Sequence, residues 1–312
     1  MAQKYNDIIF EVKEKIGIIK LNRPKSLNAF GGTLVMDIIA ALRELNEHPD
    51  TVFTVLTGEG RFFSSGADIK GVAGSNEEQY KNDAEKKVAF MSRFSYAIEL
   101  LRSIIDHKKV VILALNGPGV GGGAAWFQGV ADIVLAAEGA WLQVPFNALG
   151  LVPENGSAIN LAQSMGVHRA NDFLMFGRKC TVEELEQWGL VNRIFPKENF
   201  QESVVKFLEE QLEVNDGKSM METKRLQNAP RRAERMMAVF DAMEALAERF
   251  VEGAPAQRFK DKVALLSCEC ILLIPNISDY SILTIKQLNL RIEASFKLEQ
   301  FITFHISYRS RL

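Results

Sequence analysis

The chain has 312 residues, of which 37 are Lys or Arg and 39 are Asp or Glu, so its formal net charge is −2. This length allows one large α/β domain, or a core domain with a smaller appendage, and either can bury a substantial core. The near balance of charge gives no indication of binding to nucleic acid or to a membrane surface. We therefore expect a small-molecule partner.

The cysteines and histidines of the chain indicate its redox compartment and whether it binds a metal. Cys180, Cys268 and Cys270 make neither a disulfide framework nor a four-cysteine zinc site, and no histidine has a metal-site spacing, so we predict no metal. The N-terminus lacks the apolar core of a signal peptide, and no charge-free run approaches the roughly 18 apolar residues that span a bilayer. We expect a soluble protein, without a membrane span, in a reducing compartment.

Hydrophobic periodicity predicts alternating strands and helices. The segment Ile8–Leu21 alternates branched apolar with charged residues and breaks at Glu14-Lys15, which predicts a hairpin. Apolar residues at helical spacing from Thr33 to Leu45 predict a helix behind a Thr N-cap. Further strands are predicted at Val52–Leu56, Val110–Leu115 (after a long amphipathic helix) and Ile133–Leu135, and further helices at Glu183–Gln187, Phe200–Leu212 and Arg231–Phe250. This alternation predicts an α/β fold with parallel strand pairing.

Two loops rich in small residues follow strands that we expect to be neighbours in the sheet. They are RFFSSGADIK at residues 61–70 and NGPGVGGG at residues 116–123. Small residues let the backbone approach a ligand closely, and N–H groups at a loop that enters a helix can point at an anion or a polarised oxygen. The loops therefore predict either a two-donor oxyanion hole or merely two tight turns.

The chain resembles the crotonase superfamily of enoyl-CoA hydratases and isomerases over about residues 8 to 260. The segments that carry the resemblance occur in family order: LNRPKSLNAF, FFSSGADIK, NGPGVGGGAA and ADIVLAAEGAWLQVPFNALGLVPENG. The resemblance implies a crotonase-type ββα superhelix core with a C-terminal helical region. It also implies that the N–H groups of Ala67 and Gly122 form the oxyanion hole, and that an acyl-CoA thioester is the substrate with no separate cofactor.

The resemblance further implies where CoA binds. Lys25 and Lys70 match positions near the nucleotide, where ammonium groups suit phosphate; the alternative is that each is a solvated surface lysine. The backbone of Ala67, Asp68 and Ile69 would lie near the adenine, and Gly122 and Phe146 would contact the acyl part.

The reaction is inferred from which carboxylates are missing. Hydratases and dienoyl-CoA isomerases of this family carry acidic residues at positions that here hold Ala125 and Phe146, and neither of these can move a proton. Addition of water needs groups that deprotonate the water and protonate C2, so ordinary hydration is disfavoured. We interpret both residues as pocket wall, and Trp126, Phe127 and Trp141 as core or pocket lining.

One carboxylate remains, in the segment LVPENG, and its placement resembles the peroxisomal Δ3,Δ2-enoyl-CoA isomerases. The resemblance implies that Glu154 is the base that takes a proton from C2 of a 3-enoyl thioester and returns it at C4. An apolar pocket would raise the pKa of this carboxyl toward neutrality. The alternative role for Glu154 is an acid that favours the helix dipole.

Rival functions stay open at this point. Gly117, Gly119 and Gly122 satisfy G-x-G-x-x-G after a strand, with Glu138 about twenty residues on, which imitates a dinucleotide-binding unit. Two further alternatives are a non-catalytic acyl-CoA-binding or partner-binding domain and a related enzyme of a specialised fatty-acid-derived pathway.

The sequence also suggests a domain organisation, and its last residues suggest a cellular location. We expect a crotonase core at residues 1–200, a C-terminal helical trimerisation region at 201–260, and an atypical tail at 261–312. The tail is either an ordinary packed extension or a departure from the family's usual C-terminus. Ser310, Arg311 and Leu312 differ from the S-K-L signal by one residue of equal charge, which predicts a peroxisomal import receptor as partner and the peroxisome as location, with the cytoplasm as the alternative. The resemblance implies a homotrimer or a dimer of trimers.

Overall fold

The computed structural model describes residues 5–68 and 80–258 of the chain. The described strands are β1 (Ile8–Lys13), β2 (Ile16–Leu21), β3 (Phe53–Gly58), β4 (Val110–Leu115), β5 (Gly119–Val120), β6 (Ile133–Ala137), β7 (Trp141–Gln143), β8 (Cys180–Thr181) and β9 (Arg193–Phe195). They form a six-stranded sheet in the order β1-β2-β3-β4-β6-β9 and a three-stranded sheet in the order β5-β7-β8.

The main sheet is antiparallel only at its first edge. β1 and β2 pair antiparallel from Ile8–Leu21 to Lys13–Ile16, which confirms the predicted hairpin. The pairs β2–β3, β3–β4 and β4–β6 are parallel, as the alternation of strands and helices predicted. β9, which was not predicted, also pairs in parallel with β6. All six residues of β4 are buried, because helices and loops cover both faces of a parallel sheet.

Ten described helices surround the sheets. They are α1 (Leu34–Glu47), α2 (Asp83–Phe94), α3 (Tyr96–Ile105), α4 (Gly122–Ala125), α5 (Ser157–Met165), α6 (Val167–Phe176), α7 (Val182–Gln187), α8 (Phe200–Val214), α9 (Gly217–Asn228) and α10 (Arg232–Val251). One apolar core joins α1, α3, α5 and α6 to one face of the main sheet, and a second core lies between the other face and α8. No described helix is long and apolar enough to cross a membrane.

Two local predictions differ from the structure. The predicted long helix before β4 is divided at Ser95, whose hydroxyl donates to the Ser92 carbonyl at 2.8 Å and competes with the regular helical ladder. Thr33 occupies the predicted N-cap position of α1, but its side chain makes no capping bond to the helix backbone. Its hydroxyl is instead bonded to the carboxylates of Asp7 and Asp37, at 3.2 and 2.9 Å.

The C-terminal helical region is present as predicted, and polar and aromatic contacts hold it to the rest of the chain. The buried ammonium of Lys224 on α9 lies 2.8 Å from Asp132 and donates to the Lys109 carbonyl at 2.7 Å. The ring of Phe250 on α10 stacks on Phe90 of α2 with centroids 4.8 Å apart. The boundary predicted at residue 200 stays a prediction, and the tail at 261–312 lies outside the described residues.

Candidate active site

The two small-residue loops lie side by side beyond neighbouring strands. β3 and β4 pair in parallel, so the chain leaves both at the same edge of the sheet. The N–H of Phe63 donates to the Pro118 carbonyl at 3.0 Å, and the N–H of Val120 donates to the Ser64 carbonyl at 2.9 Å. The strand order predicted from the sequence thus brings the loops together.

Gly66 marks the point where the first loop meets the second. A Cβ built on Gly66 would lie 2.6 Å from the Val120 carbonyl oxygen and 3.2 Å from the backbone nitrogen of Gly122. Gly66 also has φ +86°, a conformation that residues with side chains rarely adopt. A glycine is therefore required here, and the next residue, Ala67, follows directly from this contact.

The backbone donors at Ala67 and Gly122 are available to a ligand. Neither N–H donates a hydrogen bond to another residue in the described part of the chain. Ala67 is exposed, whereas Gly122 is buried and begins α4. The preceding residue, Gly121, has φ 55° and ψ −122°, which only glycine adopts readily, and this turn aims the first N–H groups of α4 out of the helix.

The segment around Phe30 holds the loop that carries Ala67 from the other side. The N–H of Phe30 donates to the Gly66 carbonyl at 2.7 Å, and the N–H of Asp68 donates to the Phe30 carbonyl at 3.2 Å. These two bonds flank Ala67 and leave its own N–H uncommitted. The backbone of Phe30 therefore fixes the direction of one of the two predicted donors.

Glu154 precedes α5, and its carboxyl group lies inside the protein. Its carboxylate accepts a hydrogen bond from the indole N–H of Trp126 at 3.0 Å. The residue keeps partial surface exposure, but protein atoms surround the carboxyl group, and this burial raises its pKa to about 7 against the opposing effect of the Trp126 hydrogen bond. Glu154 can therefore act as a base near neutral pH and can also carry the proton that it takes up.

The contacts of Glu154 do not favour its alternative role as a helix-dipole acid. Within residues 5–68 and 80–258, no helix N–H donates to its carboxylate. The main-chain carbonyl of Glu154, rather than its side chain, accepts from the N–H of Ser157 at 2.9 Å.

Aromatic and small apolar side chains form the surroundings of Glu154 and the loops. Ala125 and Phe146 are 2% and 3% exposed, and Phe146 Cε1 would lie 3.7 Å from a Cβ on Gly121. Trp126, which we predicted as core or pocket lining, is buried but also bonds Glu154. Tyr96, which the sequence analysis did not single out, lies next to Trp126, and burial together with the charge of Glu154 raises its pKa to about 12.

Two of the predicted CoA-binding residues, Lys25 and Asp68, lie near the Ala67 loop or within it. Lys25 is exposed in the turn Pro24–Ser26, whose Ser26 carbonyl accepts from the Ser65 hydroxyl at 3.3 Å, so this turn borders the Ala67 loop. Asp68 is paired with Arg23 at 3.0 Å. Ile69 and Lys70 lie outside the described residues.

The geometry disfavours the dinucleotide-binding alternative. The glycine-rich loop leads into α4, a helix of only 4 residues, whereas a dinucleotide-binding unit needs a longer helix that packs back on the sheet. A separate surface cavity of ≈ 180 Å³ lies against α8, and neither the two loops nor Glu154 line it. In the described part of the chain, no three His, Cys, Asp or Glu side chains are grouped to hold a metal.

Comparison with known proteins agrees with the predicted family. The family model described as enoyl-CoA hydratase/isomerase matches residues 11–260. Over 189 residues the chain is 31% identical to a Delta(3,5)-Delta(2,4)-dienoyl-CoA isomerase of Pyricularia oryzae, covering 59% of this chain and 67% of that protein. It is 34% identical to rat enoyl-CoA delta isomerase 2 over 203 residues, covering 65% and 50%. It is 32% identical to mouse "Enoyl-CoA delta isomerase 3, peroxisomal" over 204 residues, covering 65% and 61%.

The match spans about half of the rat protein's length. Among solved structures, an enoyl-CoA hydratase/isomerase from Pseudoalteromonas atlantica superposes with a TM-score of 0.70 at 24% identity, covering 82% of this chain and 98% of that chain. This likeness confirms the predicted crotonase-type fold.

Proposed function

The chain belongs to the enoyl-CoA hydratase/isomerase family, and we propose that it moves a double bond in an acyl-CoA, converting 3-enoyl-CoA to 2-trans-enoyl-CoA. One observation carries this proposal: Glu154 has a pKa of about 7, while Ala125 and Phe146 offer no second proton carrier. The matched mouse and rat relatives are named as enoyl-CoA delta isomerases, which supports the same choice.

The proposed reaction needs one base and one oxyanion hole. The Glu154 carboxylate takes a proton from C2, and the electron pair that is released forms a dienolate whose negative charge rests on the thioester oxygen. The N–H groups of Ala67 and Gly122 donate to that oxygen. The protonated Glu154 then returns the same proton at C4, the double bond forms between C2 and C3, and the carbonyl is restored. No atom is gained or lost.

The size of each contribution follows from general enzymology. In mutational work one oxyanion-hole donor contributes about 3 kcal/mol of transition-state stabilisation, because the charge develops where fixed dipoles already point. A general base contributes about 100-fold to 10,000-fold in rate and works best with a pKa near the operating pH. The raised pKa of Glu154 meets this requirement in both directions of the proton shuttle.

CoA binding is proposed on the side of the turn that contains Lys25. This turn borders the Ala67 loop, and the exposed ammonium of Lys25 can pair with a phosphate of the nucleotide. Lys70 is proposed as the second ammonium, with the backbone of Asp68 and Ile69 beside the adenine. Gly122 and Phe146 are proposed to contact the acyl part of the thioester. No separate cofactor is proposed.

Turnover over a panel of thioesters tests the proposal. We expect purified protein to isomerise 3-enoyl-CoA, to hydrate 2-enoyl-CoA poorly and to convert 3,5-dienoyl-CoA poorly. Rapid hydration would contradict the assignment. If 3,5-dienoyl-CoA is turned over faster than 3-enoyl-CoA, the reaction assigned to the chain becomes the one named for the Pyricularia oryzae relative. Binding of acyl-CoA without turnover of any of these esters would favour the non-catalytic alternative.

We further propose a peroxisomal location and a trimeric assembly. A matched mouse relative is named as peroxisomal, which supports the location. Residues 310–312 lie outside the described residues, so the import signal at Ser310, Arg311 and Leu312 stays a prediction. A fluorescent protein that ends in these residues should enter peroxisomes, and deletion of Leu312 should disperse it. Diffuse signal from both proteins would contradict the prediction.

A further inference from the structure

The buried side chain of Trp126 makes a hydrogen bond to the carboxylate of Glu154. Its side chain is 3% exposed, and its Nε1–H donates to Glu154 Oε2 at 3.0 Å. A buried indole needs a partner for its N–H, and here the partner is the carboxylate rather than a backbone carbonyl. No other described residue donates to this carboxylate. Oε2 therefore accepts this bond, and no described residue donates to Oε1.

The same indole also touches the loop that carries one of the oxyanion donors. A Cβ built on Gly122 would lie 2.7 Å from Trp126 Cε2, so only glycine fits beneath the ring. The indole therefore contacts both the Gly122 backbone and the Glu154 carboxylate.

Phe30 extends this connection to the other donor. Its ring stacks on Trp126 with centroids 4.4 Å apart and an interplanar angle of 12°. Its backbone N–H and carbonyl bind Gly66 and Asp68 on either side of Ala67. The pair formed by Phe30 and Trp126 thus contacts all three parts of the site: the loop that carries Ala67, the Gly122 turn and the Glu154 side chain.

We propose that Phe30 and Trp126 are positioning residues that set Glu154 against the oxyanion hole, with Trp126 holding Oε2 so that Oε1 alone carries the proton. The inference rests on the proposed function for its chemical meaning. It gives a role to two residues to which the resemblance assigns none: Phe30, which ends the LNRPKSLNAF segment, and Trp126, which follows NGPGVGGGAA. A carboxylate held through Oε2 keeps Oε1 in one position, from which it can take the proton from C2 and return it at C4.

The hydrogen bond has a predictable electrostatic effect. An N–H that donates to a carboxylate stabilises its ionised form, so the bond from Trp126 lowers the pKa that burial raises. Tyr96 is the other titratable group near Glu154 in the described residues, and its phenol stays neutral across the working range because its pKa is about 12. Removal of the indole N–H should therefore raise the pKa of Glu154 further.

The sharpest variant replaces Trp126 by β-(3-benzothienyl)alanine, which keeps the bicyclic ring and substitutes sulfur for N–H. Trp126→Phe is a second, genetically encoded variant, and Trp188→Phe is the control because Trp188 packs on Arg178 away from the loops. The pKa of Glu154 is measured without turnover, from the carboxyl infrared band that disappears in Glu154→Gln. We expect it to rise by about one unit, since a hydrogen bond to a charged group is lost.

Kinetics supply the second readout. At pH 7 the benzothienyl variant should lose about tenfold in kcat with little change in KM, because substrate binding does not use the indole N–H while proton transfer uses the carboxylate that it holds. Phe30→Leu should also lower kcat, without the pKa rise, because the N–H remains. The control should match the wild type in both measurements.

These measurements distinguish failure of the proposed role of Trp126 from failure of the proposed isomerase reaction. An unchanged infrared pKa in the benzothienyl variant would overturn the role of Trp126 even in an enzyme that isomerises 3-enoyl-CoA well. A raised pKa in a protein that turns over no 3-enoyl-CoA would support the contact between Trp126 and Glu154 and overturn the proposed reaction.

Discussion

Gly66 lies against Gly122 so closely that a Cβ on Gly66 would be 3.2 Å from the Gly122 backbone nitrogen. The two residues are far apart in the chain, and each precedes or carries one of the proposed oxyanion donors. This contact holds the loop that carries Ala67 against the turn that carries Gly122.

Gly66→Ala should therefore abolish catalysis by separating the loops. The new Cβ would meet the Val120 carbonyl at 2.6 Å, and the φ of +86° adds backbone strain of roughly 1–2 kcal/mol. We expect kcat to fall at least about 100-fold, the effect of losing one oxyanion donor. Gly139→Ala is the matched control, since Gly139 has φ +75° but no atom within 4 Å of its Cβ position. Equal losses of kcat in the two folded variants would refute the geometric argument.

The pH dependence of kcat/KM should report Glu154. The base acts only when ionised, and burial raises its pKa to about 7. Activity should therefore fall below pH 7, approaching a tenfold loss per unit. A pH–rate profile with its acid limb near the ordinary glutamate value of about 4.3 would argue against a buried base. Tyr96 should add no limb below about pH 10, because its pKa is about 12.

Lys25→Ala should weaken substrate binding without slowing chemistry. Lys25 is exposed and has no role at the reacting carbons, so we expect a several-fold rise in KM at unchanged kcat. The effect should shrink at high salt, because exposed charge pairs are screened. Lys197→Ala, which removes an equally exposed lysine from another part of the surface, should leave KM unchanged. An unchanged KM in Lys25→Ala would remove Lys25 from the CoA site.

Lys224→Met should destabilise the fold rather than the chemistry. The buried ammonium pairs with Asp132 at 2.8 Å, and its removal leaves that carboxylate with only the Val111 N–H. Loss of one partner of a buried pair costs about 3–5 kcal/mol, and we expect the lower end because Asp132 keeps some exposure. Urea unfolding of Lys224→Met and of the exposed control Lys218→Met measures the difference. Similar stabilities would show that the pair of Lys224 and Asp132 contributes little to the attachment of α9.

Much of the fold could be predicted because its elements have strong periodicity. Helices α1, α8 and α10 begin and end within two residues of the predicted bounds, since each presents a clear apolar face to the core. The strands β5, β7, β8 and β9 were not predicted, because segments of two or three residues carry no periodic signal. The break at Ser95 depends on one hydroxyl and was likewise not visible in the pattern.

The part of the candidate site that could be predicted is the pair of loops in which the backbone conformation requires glycine. The small residues around Gly66 and Gly122 indicated close approach, and both loops meet as expected. The partnership of Trp126 with Glu154 was not predicted, because these residues are 28 positions apart and an indole in an apolar segment more often fills a core. Hydrogen-bonding by a buried tryptophan depends on tertiary structure that the local sequence does not encode.

Glu154→Gln tests the central claim most directly. The amide keeps the size of the side chain but cannot take a proton, so isomerisation of 3-enoyl-CoA should fall at least about 1,000-fold while the Kd for acyl-CoA is unchanged. Glu138→Gln, at an exposed position directly after β6, should retain wild-type turnover. Near-normal isomerisation by Glu154→Gln would contradict the account, because the one carboxylate in the two loops, Asp68, is paired with Arg23.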